Sequence, residues 1–350
     1  MTESLAIAVL STRAEELRRV LRDRGLLRSD LVPVREGPEV YFPVRSPPEE
    51  LGDRRSDWRL VPHDFPTRRP PRPRSYVDLL PWSESQRSPL PRSYDVVGDI
   101  VLIRLPESLR EHRGEIGQAL LRFVPGARLV VWDRGVKGPQ RVRQLERLAG
   151  EGSLRTYHRE NGLQFLVDLE RAYFSPRLAG EHARVAGEAR EAEEVLDLFC
   201  GIGPFSLTLL ARHPRSQVLA VDQNRDAIEL LRENSRRLGL EKRLTAVAQR
   251  AEELLDRGAA TFDRVIMNLP HEGYKYLASV NRFVRPGGIL HYYEIGPRGG
   301  AIHRGQTLLR DLEGGSPGAR WALKETHCVH PYSPREDLQA FTFRCEVVGG

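Results

Sequence analysis

The chemistry-bearing residues of this chain concentrate between Val195 and Ser206. Asp197 ends an apolar run, Gly201 and Gly203 follow at once, and Phe199 and Phe205 flank them. A second acid, Asp222, closes the next apolar run 19 residues after Gly203. Glycine has no Cβ, so the backbone can bend sharply and come close to a ligand, and a carboxylate placed like Asp222 takes ribose hydroxyls. A dinucleotide would need its pyrophosphate on the helix N-terminus and usually a third glycine, where Ser206 stands. S-adenosylmethionine needs no phosphate site, and its sulfonium and ammonium favour a carboxylate such as Asp197. The plain alternative is a tight strand-to-helix turn with no ligand, and the spaced Asp222 weighs against it.

Three further stretches could act on an acceptor or complete the cofactor site. The first is Asn268-Leu-Pro270-His271, directly after the strand pattern Asp263 to Met267. Many enzymes that methylate exocyclic amines of bases carry N-P-P-Y or D-P-P-Y at such a strand end. This chain lacks the second consecutive proline and the aromatic, which points toward a ring nitrogen or a carbon; an asparagine capping its own turn is the bland reading. The second is Tyr173-Phe-Ser-Pro-Arg177-Leu-Ala-Gly-Glu181, where Ser175 and Pro176 predict a helix start and Arg177 and Glu181 share a face at i,i+4. The third is Gln249, whose carbonyl can accept from an adenine amine, with Glu252 as the alternative.

The elements that must position these residues are legible as a series. Leu5 to Leu10 reads as a strand, and Thr12-x-x-Glu15 as a capping box opening a helix that Gly25 ends. Residues 1–60 form a small α+β unit. Residues 61–92 read as a linker, since Pro66 to Arg74 holds four arginines and four prolines in nine residues. Residues 93–172 read as a middle α/β domain with a hairpin turn at Asn161-Gly162. From 173 to 350, strands alternate with helices, which implies a parallel sheet with right-handed crossovers; the last two strand patterns form an antiparallel edge. With 350 residues, 40% hydrophobic, the chain can bury a large core. No apolar run approaches membrane-spanning length, and Met1 to Leu10 shows no secretory pattern. Cys200, Cys328 and Cys345 form neither a metal-ligand pair nor a disulfide framework, so a reduced, cytoplasmic protein is the expectation. The net charge of +6 permits a polyanionic partner.

Asp197, Phe199, Gly201, Gly203 and Phe205 together resemble the D-x-F-x-G-x-G-x-F motif of class I methyltransferases. Five other segments add to it: Ser93-Tyr-Asp-Val-Val-Gly-Asp-Ile100, Leu148-Ala-Gly-Glu151, Tyr173 to Glu181, Asn268-Leu-Pro270, and Gly287 to Glu294. The whole is similar to the archaeal and eukaryotic tRNA (guanine37-N1)-methyltransferase family. That resemblance implies a Rossmann-type S-adenosylmethionine-dependent methyltransferase domain, a middle α/β domain and a small N-terminal tRNA-recognition domain. It also implies transfer of a methyl group to N1 of guanosine 37 in the anticodon loop. Related wyosine-pathway chemistry at the same position, aminocarboxypropyl transfer or methylation of a wyosine precursor, is the alternative. N1 must lose its proton, which calls for a general base, and O6 gains negative charge, which calls for a cation. The resemblance assigns these roles to Glu181 and Arg141, with Arg143 as the register alternative. It assigns the guanine edge to Asn268 and Pro270, and the cofactor or base to Tyr173, Arg177, Asp197, Phe199, Gly201, Gly203, Phe205, Asp222 and Asn268; where the family usually has an acid for the adenine amine, this chain has Gln249, with Glu252 as the alternative. The expected partner is tRNA, to a monomeric protein with no membrane association and no metal.

Overall fold

The computed structural model describes residues 1–47, 58–68, 73–138, 142–258, 260–314 and 320–346. The chain divides into two compact units, Met1–Arg74 and Ser75–Gly350. In the first, β1 (Thr2–Leu10), β2 (Val34–Glu36), β3 (Glu39–Pro43) and β4 (Trp58–Phe65) form an antiparallel sheet in the order β2-β3-β1-β4. Helix α1 (Ala14–Asp23) lays Leu17 and Leu21 on Ile7, Val9 and Phe42 of that sheet. The Thr12 capping box does not form. Ser11–Arg13 is a single tight turn, and the N-cap position falls to Arg13, with no side-chain capping bond to the helix N–H groups. Strand β4 covers residues 61–65, which composition had given to the linker. It lies at the edge of the sheet, where Pro62 breaks no inner ladder, and Phe65 is fully buried.

The second unit begins with further chain read as linker. Its turn Tyr76–Leu79 and helix α2 (Glu84–Arg87) each carry a serine capping box, at Ser75 and Ser83. Tyr76, Leu80 and Leu90 are buried in the core under the next sheet. Apolar residues at 76, 80 and 90 thus outweigh a proline-rich composition. That sheet runs β5-β6-β7-β8, with β5 (Asp95–Val97), β6 (Ile100–Ile103), β7 (Leu129–Lys137) and β8 (Val142–Gly150). Helix α3 (Arg113–Phe123) covers it and makes the parallel crossover from β6 to β7.

Strands β9 (Arg155–Glu160) and β10 (Leu163–Asp168) form a separate hairpin. Its turn residues Asn161 and Gly162 both have positive φ, 51° and 78°, as a two-residue I′ turn demands.

Helix α4 (Ala179–Glu188) leads into the largest sheet. The chain then alternates: β11 (Glu194–Asp197), α5 (Pro204–Arg212), β12 (Gln217–Asp222), α6 (Arg225–Arg237), β13 (Leu244–Ala248), α7 (Ala251–Arg257), β14 (Phe262–Met267), α8 (Leu277–Val280), β15 (Val284–Pro297), α9 (Ala301–Gly314), β16 (Arg320–Pro331) and β17 (Glu336–Glu346). Among the described residues the sheet order is β13-β12-β11-β14-β15-β17-β16. The first five are parallel, and β17 inserts antiparallel between β15 and β16. Strand order reverses between β11 and β14, which opens a crevice at their carboxyl ends.

Two interior contacts brace this body. The Asn234 side chain on α6 bonds both the N–H and the C=O of Leu166, at 2.6 and 3.0 Å, and so joins the β9–β10 hairpin to the Rossmann core. Phe165, Leu166 and Val167 share one apolar cluster with Leu231 and Val195. Arg264 on β14, 2% exposed, donates to Glu193 at 2.8 Å and to the Glu188 carbonyl at 3.0 Å. It also donates to Nε2 of His291, which burial and Arg264 hold well below its usual pKa.

Candidate active site

The glycine turn is built by its neighbours. Leu198 N–H bonds the Ile266 carbonyl and Cys200 N–H bonds the Val221 carbonyl, each at 3.0 Å, so β14 and β12 hold the turn from both sides. Gly203 is the N-cap of α5 with φ +85°, and Pro204 follows as the first helical residue. A Cβ at Gly203 would lie 2.2 Å from Leu231 Cδ1, so both conformation and space require glycine there. Asp222 accepts from Gly201 N–H and Asn224 N–H, both at 2.8 Å. The acid at the end of β12 therefore shapes the turn, and each oxygen keeps a lone pair for a ligand hydroxyl.

Asp197 is fully buried beneath the turn. One oxygen accepts from Ser206 Oγ at 2.7 Å, and the other, Oδ1, has no hydrogen-bond partner among the described residues. Burial pushes its pKa up to about 7 against the Ser206 hydrogen bond, and the charge of Asp222 adds to the rise. Ser206, standing where a dinucleotide fingerprint places glycine, thus serves to hold Asp197. A buried acid with one unsatisfied oxygen favours a nearby cation over a phosphate.

A cavity of about 600 Å³ opens over the crevice. Phe199, Gly201, Phe205 and Asp222 line its cofactor side, and Tyr173, Arg177, Asn268 and Pro270 complete the wall. Cys200 also lines it. Glu181, Asp197, Gly203 and Gln249 are not on the wall; near the end of β13 it is Arg250, Ala251 and Glu252 that reach it. Asn268 does not cap its own turn through Oδ1: that atom is buried and has no partner among the described residues. The turn itself closes through backbone bonds, Gly273 N–H to the Leu269 carbonyl at 2.8 Å and Ile295 N–H to the Pro270 carbonyl at 3.2 Å.

Glu181 sits in the first turn of α4, 5% exposed. Its partners are Arg184, with Nε 3.1 Å from both oxygens, Tyr293 Oη at 2.7 Å and His327 Nε2 at 3.0 Å. Burial raises its pKa, but the three hydrogen bonds and the Arg184 charge outweigh burial and hold it well below the usual carboxylate range. The expected i,i+4 pair does not form. Arg177 donates to Asp95 at 2.7 Å, and the cation on Glu181 is Arg184, one turn along its own helix. Arg141 lies outside the described residues. Arg143 is buried, paired with Asp133, and donates to the Phe174 carbonyl at 3.1 Å. Its guanidinium lies 4.7 Å from the Tyr173 ring centroid.

The TRM5/TYW2 methyltransferase domain model matches residues 156–310, and the TYW2 N-terminal domain model matches residues 78–153. The tRNA (guanine(37)-N(1))-methyltransferase Trm5b of Methanocaldococcus jannaschii is 31% identical over 346 residues, 97% of this chain and 98% of that protein. The chain belongs to the TRM5/TYW2 methyltransferase family. The crystal structure of wild-type Trm5b from Pyrococcus abyssi, 32% identical, superposes with a TM-score of 0.75 over 98% of this chain and all of that one. A complex of aTrm5 with tRNALeu, 30% identical, gives 0.72 over 97% of this chain and 99% of that one. The family resemblance and the class I methyltransferase fold read from the motifs are thereby borne out.

For a TRM5/TYW2 family member, the residues present fit S-adenosylmethionine: a glycine turn, a ribose-ready Asp222 and an unsatisfied buried Asp197. The motif reading missed several residues of the wall. His182 lines the cavity with Nδ1 2.7 Å from Glu160 and its ring edge-on to Phe205. Asp133 and Arg104 line it beside Arg143. Tyr276 bonds Glu252 at 2.9 Å, and Tyr332 stands by His271. Asp133 lies inside β7, four residues before its end, where no sequence signal marks it. Tyr276 and Tyr332 come from turns whose composition carries no chemical signature.

Proposed function

We propose that this chain transfers the methyl group of S-adenosylmethionine to N1 of guanosine 37 in the anticodon loop of tRNA, in keeping with relatives that are tRNA (guanine(37)-N(1))-methyltransferases along nearly their whole length. The observation that carries the reading is the unpartnered Oδ1 of Asn268 on the wall that also holds the Gly201 turn. The Watson–Crick edge of guanine presents N1–H and N2–H donors to such an acceptor. When bound, the cofactor supplies an electrophilic methyl on a sulfonium. Asp222 would take its ribose hydroxyls, the Gly201 turn, Phe199 and Glu252 would hold the rest of its nucleoside, and Asp197 would favour its positive charge.

Glu181 is the general base. Its hydrogen bonds to Arg184, Tyr293 and His327 keep it ionised at neutral pH and weakly basic. Giving up those bonds as the base is seated raises its proton affinity toward that of an ordinary carboxylate, or above it in a dry site. Arg141 stabilises the charge that develops on O6. Arg143 is committed to Asp133 and the Phe174 carbonyl, which supports Arg141 over it. Residues 1–60, with the remainder of β4, read the tRNA body, and the protein works as a monomer in the cytoplasm.

The test uses cofactor labelled in the methyl or the carboxyl carbon, with unmodified tRNA bearing G or A at position 37. Methyl label alone on G37, recovered as 1-methylguanosine, is the expected result. Carboxyl label on the nucleoside would mean aminocarboxypropyl transfer, and no transfer would leave only RNA binding.

A further inference from the structure

Tyr332 is one of two exposed aromatic residues on the wall of the cavity. Among the described residues, the large apolar or aromatic side chains that stay exposed and also line it are Tyr173, 39% exposed, and Tyr332, 42% exposed. An exposed aromatic ring on the wall of a ligand-sized cavity is a poor use of apolar surface unless something covers it. The Tyr173 ring already carries the Arg143 guanidinium. Among the described residues the Tyr332 ring pairs with one other ring, that of His271, at 5.7 Å and 72°, with its hydroxyl 3.4 Å from His271 Nε2.

The loop that bears Tyr332 is fixed. Tyr332 N–H and Ser333 N–H both bond the Glu336 carbonyl, at 2.9 and 3.0 Å. Arg298, directly after β15, clasps the same loop, donating its side chain to the Ser333 carbonyl at 3.3 Å and its N–H to the Arg335 carbonyl at 3.0 Å. His271 is the fourth residue of Asn268-Leu-Pro-His, the place where amine-methylating sites carry their stacking aromatic. In this fold an aromatic reaches that place from 61 residues further along the chain.

We propose that Tyr332, braced by His271, is the stacking surface for the target base, with Asn268 gripping the edge of the same base. The assignment rests on the reading that a flipped guanine enters this cavity. A base removed from its helix loses its stacking neighbours, and an aromatic side chain restores part of that energy. Tyr332 is then a positioning residue for the transfer, with no part in the proton chemistry.

Three measurements decide it: methyl transfer to G37 tRNA, S-adenosylmethionine affinity by calorimetry, and fluorescence of tRNA carrying 2-aminopurine at position 37. Tyr332→Ala should lower kcat/KM about tenfold, leave cofactor affinity unchanged, and brighten bound 2-aminopurine by removing its stacking partner. Tyr332→Phe should stay within about twofold of wild type in all three, since the ring and not the hydroxyl carries the contact. His271→Ala should move transfer and fluorescence the same way by a smaller factor, and supplies the result should Tyr332→Ala fold poorly. Unchanged transfer and fluorescence in Tyr332→Ala, with the wild type active on G37, overturns the stacking role alone. A parallel loss of cofactor affinity overturns it in favour of a cofactor contact. A wild type that transfers nothing to G37 removes the functional reading and this role together.

Discussion

Tyr293 and Glu181 stand 112 residues apart in the chain, and the tyrosine hydroxyl donates to the carboxylate at 2.7 Å. Both are buried, one on β15 and one on α4. The contact ties the proposed base to the inner part of the sheet and sets how readily it takes a proton.

Replacing Glu181 by Gln should lower single-turnover methyl transfer by about a hundredfold or more while cofactor affinity stays level. Unchanged turnover would remove it as base. Tyr293→Phe takes away one donor, so the carboxyl rises toward its ordinary value. The acid limb of the pH–rate profile should then move upward relative to wild type. The linkage sign is that of a depressed acid. Its contribution to stability is present above the unfolded value near 4.5 and is lost as pH falls through the lower folded value. Urea midpoints of the wild type should therefore show no Glu181-dependent change between pH 6 and 8.

Asp197 has the opposite sign. Its folded pKa, about 7, lies above the ordinary 3.8, so its ionisation costs stability as pH rises between those values. A bound cation favours the carboxylate. Affinity for S-adenosylmethionine should tighten from pH 6 to pH 8, with proton release visible as a buffer-dependent heat in titration calorimetry. Asp197→Asn should bind more weakly and lose the pH dependence. A flat wild-type profile would show that the cofactor does not sense this acid.

At Gly203, alanine meets both a positive φ and the Leu231 side chain. The substitution should cost about 3 kcal/mol in chemical denaturation. Gly25, with φ +67° and nothing near its missing Cβ, is the comparison, and Gly25→Ala should cost about 1 kcal/mol.

Glu193→Ala strands the Arg264 guanidinium in the interior, and a loss of about 3–5 kcal/mol is expected from urea unfolding. Pairing it with Arg264→Met should recover much of that loss, because two well-packed apolar residues need no counter-charge. An additive double variant would show that the pair is not a unit.

Removing Met1–Arg74, the whole first unit, should weaken tRNA binding about tenfold or more in filter assays and leave cofactor binding intact. Cutting at residue 60 instead would sever β4, which runs Trp58–Phe65. Loss of cofactor binding in the longer truncation would defeat the division of labour.

The Rossmann part was legible because three of its parallel strands end at or beside a chemically marked residue: Asp197, Asp222 and Asn268. Periodicity placed β11 to β15 and the antiparallel pair at the edge. What stayed hidden was set by partners distant in sequence. No spacing rule links Glu181 to Tyr293 and His327, so the nearby Arg177 was its expected companion; Asp95 takes that arginine instead. Gln249 was expected to face the adenine, yet its N–H pairs with the Asp222 carbonyl and the cavity wall begins one residue later. Residues 75–90 looked like tether because prolines dominate their composition, while a few apolar anchors decide their packing.

The grip of Asn234 on Leu166 bears on how such a protein can be taken apart and recombined. Sequence suggests a seam near residue 172, but the hairpin before it is soldered to α6 by two buried hydrogen bonds. A chimera joined there would bring a foreign hairpin to an asparagine shaped for this one. The exchangeable cassette starts nearer Leu154, so catalytic modules of this kind should trade between scaffolds only with their hairpin attached.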